Sequence, residues 1–231
     1  MASYNVHAGH GKQDSKSCGA IGLIKESVEN RLVKDEVIRL LKAEGHTVYD
    51  CTVDYPDSKS DCVNKQVINC NKNSVDLDIS IHFNAGRKDA TGDNKTGGIE
   101  VLVANTTGTK QSYAKRVCTS IAKLGYNNRG VKVTTSLGYL NRVKNECILI
   151  ECCFVDDADD VKLYNYKTMA KAIVEGILNK TISNTTATSN DKTLYYQVVC
   201  GSYQNKQNAE NVKAKLEKAG FSGVFLQANY K

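Results

Sequence analysis

Hydrophobic and polar positions follow two periods along the first 180 residues, one typical of strands and one typical of helices. Short apolar or alternating segments predict five strands, at 3–6, 47–53, 76–83, 97–104 and 145–154. The segments between them predict four helices, at 28–44, 58–72, 110–124 and 166–179. Strands that alternate with helices form crossover units. The pattern therefore predicts an α/β fold, in which a mostly parallel twisted sheet carries helices on both faces.

The pattern changes after residue 180. Residues 181–191 contain eight Ser, Thr and Asn residues, a composition that predicts a flexible linker. The remaining residues predict one β-α-β unit, with strands at 194–200 and 224–228 and a helix at 206–219. A unit of this size is too small to bury a good core alone. We therefore expect a domain at 1–180, a linker at 181–192 and a small C-terminal unit at 193–231.

Composition and charge narrow the classes of function. Hydrophobic residues make up 41% of the chain and charged residues 24%, which is typical of a globular protein. No apolar run approaches the roughly 20 residues that cross a bilayer, so no membrane insertion is expected. The net charge of +6 favours an anionic partner. Because no dense Lys/Arg run with interleaved aromatic residues occurs, we do not expect that partner to be nucleic acid.

The N-terminal residues and the cysteines bear on the cellular compartment. Residues 1–11 lack the basic start and apolar segment of a secretory signal, so we expect synthesis in the cytoplasm. The nine cysteines include no C-x-x-C pair, which argues against a disulfide framework or a cysteine zinc site. Most are expected to be buried thiols. The adjacent Cys152 and Cys153 could suggest a nucleophile, but their flanks predict a core strand.

Four polar residues stand at the ends of predicted elements. His10 follows the first strand, and Glu26 precedes the first helix. His82 and Glu151 interrupt strongly apolar strands. Open α/β sheets bind ligands beyond the carboxyl ends of their strands, and a buried His or Glu is costly unless it is paired. These four residues are therefore the candidates for a functional site.

A metal ion would provide the missing partner for these side chains. Catalytic zinc usually takes three protein ligands, and imidazole and carboxylate groups are among those it binds. The set formed by His10, Glu26 and His82 suits zinc or another divalent ion. Glu151 would then be a second carboxylate that accepts and donates protons. The spacing alone equally allows each histidine a structural role.

Two further residues lie close to these candidates in the sequence. Asn84 follows His82 by two residues and shares its strand face, so it could contact a substrate or brace the loop. His7 precedes the Ala-Gly turn before His10, and it could lie at the site or pack in the core.

Four motifs occur in the order found in the zinc-dependent N-acetylmuramoyl-L-alanine amidases of the type 3 amidase family. They are "HAGHG", "GLIKESVEN", "ISIHFNA" and "ILIECCFVDD", and the chain resembles this family over about residues 2–180. The resemblance implies one Zn²⁺ ion bound by His10, Glu26 and His82, with Glu151 as the catalytic acid/base. The family pattern E-x-x-x-N selects Glu26, and Glu29 is the alternative. The family usually has Asp-Pro where this chain has His7 and Ala8, so the role of His7 stays open.

The resemblance also implies a reaction and a substrate. The family hydrolyses the amide between N-acetylmuramic acid and L-alanine in peptidoglycan. The same site would also serve a cell-wall metallopeptidase, and a non-catalytic wall-binding protein is the third hypothesis. Since no secretory signal is expected, the chain would be a phage endolysin or a mother-cell autolysin that acts on the wall after release.

The C-terminal segment "YYQVVCGSYQNKQNAENVKAKLEKAGF" resembles the sporulation-related (SPOR) repeat, a module that binds peptidoglycan. The usual module has two β-α-β halves, and this chain contains about one. Two chains could therefore pair their halves in a homodimer, or the module could be incomplete.

Overall fold

The computed structural model describes residues 1–183 and 205–220. The contacts within the chain separate two units, Met1–Asn184 and Thr185–Lys231. Most of the predicted linker and both strands of the predicted C-terminal β-α-β unit lie outside the described residues. The division into a domain, a linker and a half-module therefore stays a prediction.

The described part of the first unit contains one six-stranded sheet. Its strands are β1 (Ser3–Ala8), β2 (Thr47–Asp50), β3 (Leu77–Asn84), β4 (Ile99–Val103), β5 (Asn128–Val133) and β6 (Cys147–Phe154). Their order across the sheet is β2-β1-β3-β6-β4-β5. All neighbouring strands are parallel except β4 and β6, which are antiparallel. The predicted α/β fold with a mostly parallel sheet is confirmed.

Helices of the first unit lie between several of these strands and after the last of them. They are α1 (Glu26–Ala43), α2 (Lys59–Cys70), α3 (Lys110–Ala122), α4 (Gly138–Arg142), α5 (Ala158–Leu163) and α6 (Tyr166–Leu178). The helix predicted at 206–219 is observed in the second unit as α7 (Lys206–Lys218). None of the helices in the described residues has the length and apolar character needed to span a membrane.

Three short elements were not predicted. Strand β5 has the sequence NRGVKV and is largely exposed, so it shows no apolar alternation. Helices α4 and α5 have only five and six residues. Elements this short do not span enough turns for a helical period to appear in the sequence.

The two faces of the sheet bury different side chains. Ile79 and Ile81 of β3 belong to the main core, together with residues of α1, α3 and α6. Cys147 and Leu149 of β6 belong to a smaller cluster that includes residues of α2 and α4. Helices therefore cover both faces, as predicted. Because side chains alternate along a strand, Glu151 shares the second face with Leu149.

The cysteines in the described residues behave as core residues. All eight are free, and all except Cys18 are buried. Cys152 and Cys153 lie fully inside the protein, and burial raises the pKa of both thiols well above the usual value. A neutral, inaccessible thiol is a poor nucleophile. The structure therefore supports the packing role for this pair.

Helices α3 and α6 approach closely at Gly176. A Cβ atom at this position would lie 2.6 Å from Val117 Cα, which is backbone and cannot swing away. We expect Gly176→Ala to lower the free energy of unfolding by about 1–3 kcal/mol, measured by chemical denaturation. Gly138→Ala is the control, because its Cβ meets no atom nearer than 3.5 Å. Equal stability of the two variants would contradict the close packing.

Candidate metal centre

Three of the predicted residues converge at the carboxyl end of the sheet. His10, Glu26 and His82 each offer one ligand atom, and these atoms lie within 4.8 Å of one another. Glu26 Oε1 lies 3.0 Å from His82 Nδ1 and 3.5 Å from His10 Nε2. The two imidazole rings meet edge to face, with their centroids 5.0 Å apart. Residues far apart in the sequence thus form one cluster.

Side chains of α1 hold the loop that carries His10. This residue has a φ of +59°, in the left-handed region that few residues other than glycine adopt. Arg31 Nη2 donates to the His10 carbonyl at 3.3 Å. The buried amide of Asn30 donates to the Gly9 carbonyl at 2.7 Å. Asn30 is also the asparagine of the E-x-x-x-N pattern. Because Glu26, Asn30 and Arg31 all lie on α1, this one helix supplies Glu26 and holds the backbone around His10.

Two glycines leave room for the converging side chains. A Cβ atom at Gly9 would overlap the His82 ring. A Cβ atom at Gly19 would lie 2.5 Å from Glu26 Oε2. Steric crowding therefore explains why a glycine precedes His10 in "HAGHG": only a residue without a side chain leaves space for the His82 imidazole from the neighbouring strand.

Glu26 is held in its ionised form. Its side chain is only 3% exposed, and it accepts backbone N–H bonds from Ala20 at 2.8 Å and Phe83 at 3.1 Å. Burial opposes ionisation, but the His82 hydrogen bond, the charges of both histidines and the Ala20 bond keep the carboxyl pKa below its usual value. The Glu26 carboxylate is thus held in place by two backbone N–H groups and lies against two imidazole rings.

The two histidines differ in their electrostatics. Burial lowers the pKa of His10 to about 4, so this imidazole is neutral near pH 7. Burial opposes protonation of His82 too, but its hydrogen bond to Glu26 and the charges of Glu26 and Glu151 raise its pKa. Two imidazoles and one carboxylate form a donor set that fits a divalent ion such as zinc.

Glu151 lies directly beside this cluster. It is paired in register with His82 on β3, so the two side chains share one face of the sheet. Its Oε2 atom is buried and has no hydrogen-bond partner among the described residues. Burial raises the pKa of Glu151 to about 7, and the charges of Glu26 and Glu100 act in the same direction. A carboxyl group with this pKa can both accept and donate a proton near neutral pH.

Glu100 is a neighbouring carboxylate that our sequence reasoning missed. It lies opposite Glu151 on β4. Its Oε1 accepts from Asn84 Nδ2 at 2.8 Å, and its Oε2 accepts from Arg129 Nε at 2.9 Å. Both oxygens are thus engaged, whereas Glu151 keeps a free one. Glu100 interrupts the apolar strand "GGIEVLVA" just as Glu151 interrupts its own, so the same signal could have found it.

The other predicted residues have different surroundings. The Asn84 amide braces Glu100, and its contact with substrate stays a prediction. His7 is fully buried, packs edge to face on Tyr139 at 4.6 Å between ring centroids, and has a pKa lowered to about 3 by burial. These features favour the packing role for His7. Glu26, and not Glu29, belongs to the converging group.

The amino-acid sequence matches a known family over most of its length. The family model described as N-acetylmuramoyl-L-alanine amidase matches residues 5–182. An uncharacterised protein of Clostridium perfringens strain 13 is 33% identical over 181 residues, which cover 77% of this chain and 52% of the relative. An uncharacterised 38.4 kDa protein of Clostridium perfringens is 32% identical over 174 residues, covering 72% and 49%. The chain thus spans about half the length of these curated relatives.

Solved structures share the fold. The catalytic domain of the CD27L endolysin, which targets Clostridium difficile, superimposes with a TM-score of 0.70 at 27% identity, covering 79% of this chain and 100% of that domain. An N-acetylmuramoyl-L-alanine amidase from Clostridium difficile 630 gives a TM-score of 0.64 at 22% identity, covering 78% and 96%. The second likeness shows the fold alone. Taken with the family match over residues 5–182, these findings mean that the chain belongs to the N-acetylmuramoyl-L-alanine amidase family.

Proposed function

We propose that this chain is a zinc-dependent peptidoglycan hydrolase that cleaves the amide between N-acetylmuramic acid and L-alanine of the stem peptide. One observation carries the proposal. His10, Glu26 and His82 converge beside Glu151, whose buried Oε2 has no partner among the described residues. Membership of the amidase family supports the same reaction.

The converging donors would hold one Zn²⁺ ion. When bound, zinc supplies Lewis acidity, which polarises a carbonyl group and acidifies water. His10 contributes a neutral imidazole, and Glu26 contributes a carboxylate whose second oxygen is fixed by the Ala20 N–H group. The glycines at positions 9 and 19 keep the space between these side chains open.

Glu151 would handle the protons of the reaction. Hydrolysis of an amide needs a base for the attacking water and an acid for the departing nitrogen. The free Oε2 of Glu151 accepts the proton of the water and then delivers it to the nitrogen of L-alanine. Glu100 is less suited to this task, because Asn84 and Arg129 already occupy its two oxygens.

We further propose that the protein acts on the cell wall after release from the cytoplasm, as a phage endolysin or a mother-cell autolysin. The likeness to an endolysin catalytic domain at 27% identity supports the first of these roles. The C-terminal half of a SPOR-like module would add affinity for peptidoglycan. Pairing of two halves in a homodimer would raise the avidity for a repetitive polymer.

A defined soluble substrate tests which bond is cut. We would incubate the full chain with an N-acetylmuramyl peptide that begins with L-alanine and identify the products by mass spectrometry. The proposal predicts the free muramyl sugar and a peptide with an L-alanine amino terminus. A new terminus within the peptide would instead identify a metallopeptidase. No cleavage together with binding to purified walls would identify a non-catalytic wall-binding protein.

The steric role of Gly9 gives a separate test of the metal site. We expect Gly9→Ala to displace the His82 ring and to lower zinc affinity by about 10- to 100-fold, the range seen when groups that orient metal ligands are lost. Competition with a chromophoric chelator measures this affinity. Gly138→Ala is the control, since its added methyl group meets no close neighbour. Unchanged zinc affinity in a folded Gly9→Ala protein would contradict the proposed ligand role of His82.

A further inference from the structure

A row of polar side chains extends from the candidate metal centre across the sheet. His82 on β3 is paired with Glu151 on β6, and Glu151 is paired with Glu100 on β4. Arg129 on the edge strand β5 then donates to Glu100 at 2.9 Å. The row therefore continues two strands beyond Glu151, on the side away from His10.

Arg129 is fixed at one end of its guanidinium group and free at the other. Nε donates to Glu100 Oε2, and the guanidinium carbon lies 5.1 Å from the centre of the Phe154 ring. The Arg129 side chain is nevertheless 35% exposed. Within the described residues, neither terminal nitrogen of Arg129 donates a hydrogen bond. A guanidinium group held in this way presents N–H donors to a carboxylate.

Glu100 keeps the arginine in this position. Its second oxygen accepts from Asn84, so the carboxylate is held between two strands and cannot rotate freely. The guanidinium group therefore has one orientation before any substrate arrives. Such pre-organisation reduces the entropy lost on binding.

The distances suit a group close to the scissile bond. Neighbouring strands lie about 4.8 Å apart, so Arg129 starts about 10 Å from Glu151 and its long side chain reaches part of the way back. An extended peptide advances about 3.5 Å per residue. For a stem peptide that runs from Glu151 towards β5, the residue that follows L-alanine lies within reach of Arg129 when the scissile amide lies at Glu151.

Resting on the proposed function, we propose that Arg129 binds the free carboxylate of the stem-peptide residue that follows L-alanine. In peptidoglycan this residue is a glutamate linked through its side chain, and its remaining carboxyl group is either free or amidated. Arg129 then makes the enzyme prefer stems in which this carboxyl group is free. Asn84 and Glu100 act as positioning residues for the arginine.

Two muramyl peptides that differ only in this group, carboxylate or carboxamide, test the inference. We expect the wild-type protein to cleave the carboxylate substrate with a kcat/KM about 10-fold higher, as a charge-assisted hydrogen bond allows. Arg129→Gln should raise KM for the carboxylate substrate about 10-fold and leave the carboxamide substrate within twofold. Glutamine keeps an N–H donor for Glu100, so the row stays intact.

Two further variants sharpen the test. Arg129→Lys keeps the charge but loses the planar fork, and an intermediate preference is expected. Lys132→Gln removes a positive charge from an exposed residue of the same strand. It should leave the kcat/KM values for both substrates unchanged.

Equal cleavage of the two substrates by the wild-type protein would overturn the inference and leave the amidase proposal standing. Equal losses on both substrates in Arg129→Gln would show that the arginine only supports Glu100, which also overturns it. Failure of the wild-type protein to cleave either substrate would overturn the proposed function itself.

Discussion

Replacement of Glu151 by glutamine is expected to lower kcat by about 10²- to 10⁴-fold and to leave zinc binding intact. Glutamine has nearly the same shape, but its amide cannot accept a proton from water. Glu151 lies beside the group formed by His10, Glu26 and His82 and does not belong to it. The substitution should therefore slow the chemical step without lowering the zinc content of the protein. Turnover of the muramyl peptide and zinc content by mass spectrometry are measured on the same sample.

Glu29→Gln is the matched control for this variant. Glu29 lies on the same helix as Glu26 but outside the converging group, so we expect kcat within about twofold of the wild-type value. Unchanged turnover in Glu151→Gln would reject the acid/base role. Loss of zinc from Glu151→Gln would show that this carboxylate is a ligand.

Replacement of His10 by alanine is expected to remove zinc and activity together. The loss of a group that merely orients a ligand weakens metal binding about 10- to 100-fold, so the loss of a ligand itself should exceed about 100-fold. Alanine adds no atom to the loop at this position, and the neighbouring donors Glu26 and His82 remain. Zinc content after dialysis and turnover at a fixed zinc concentration measure the two effects.

His46→Ala is the control for the loss of a histidine. His46 directly precedes β2, at the amino end of the sheet, where its ring accepts from the Ala2 N–H group and packs against Tyr4. This variant should keep one zinc ion per chain. If His10→Ala also retained zinc and activity, the metal would have to be bound by other residues.

Much of the candidate site could be predicted because several of its residues interrupt the local pattern. His82 and Glu151 stand in otherwise apolar strands, and His10 follows a strand at a turn, so each had a physical reason to be noticed. The spacing of these residues along the sequence does not show that their side chains lie close together. Their proximity follows from the strand order β1-β3-β6, which brings together strand ends separated by about seventy residues in the sequence.

Arg129 and its strand could not be predicted in the same way. Strand β5 lies at the edge of the sheet and is exposed, so no burial pattern marks it. Arginine on a surface strand is also common and carries no signal by itself. Arg129 lies near Glu151 because β4 and β6 pair in antiparallel fashion, which places Glu100 between the two residues. The pairing register of the strands, and not the composition of the sequence, places Arg129 near Glu151.

The central claim is that a zinc ion held by His10, Glu26 and His82 cleaves the amide between N-acetylmuramic acid and L-alanine. Its most direct test is the release of new L-alanine amino termini from purified cell walls by the full chain, first native, then stripped with a chelator, then restored with one equivalent of zinc. We predict release by the native protein, none after stripping and recovery with zinc, while the glycan strands stay intact. Undiminished release from fully stripped protein, or new termini at any other bond, would contradict the account.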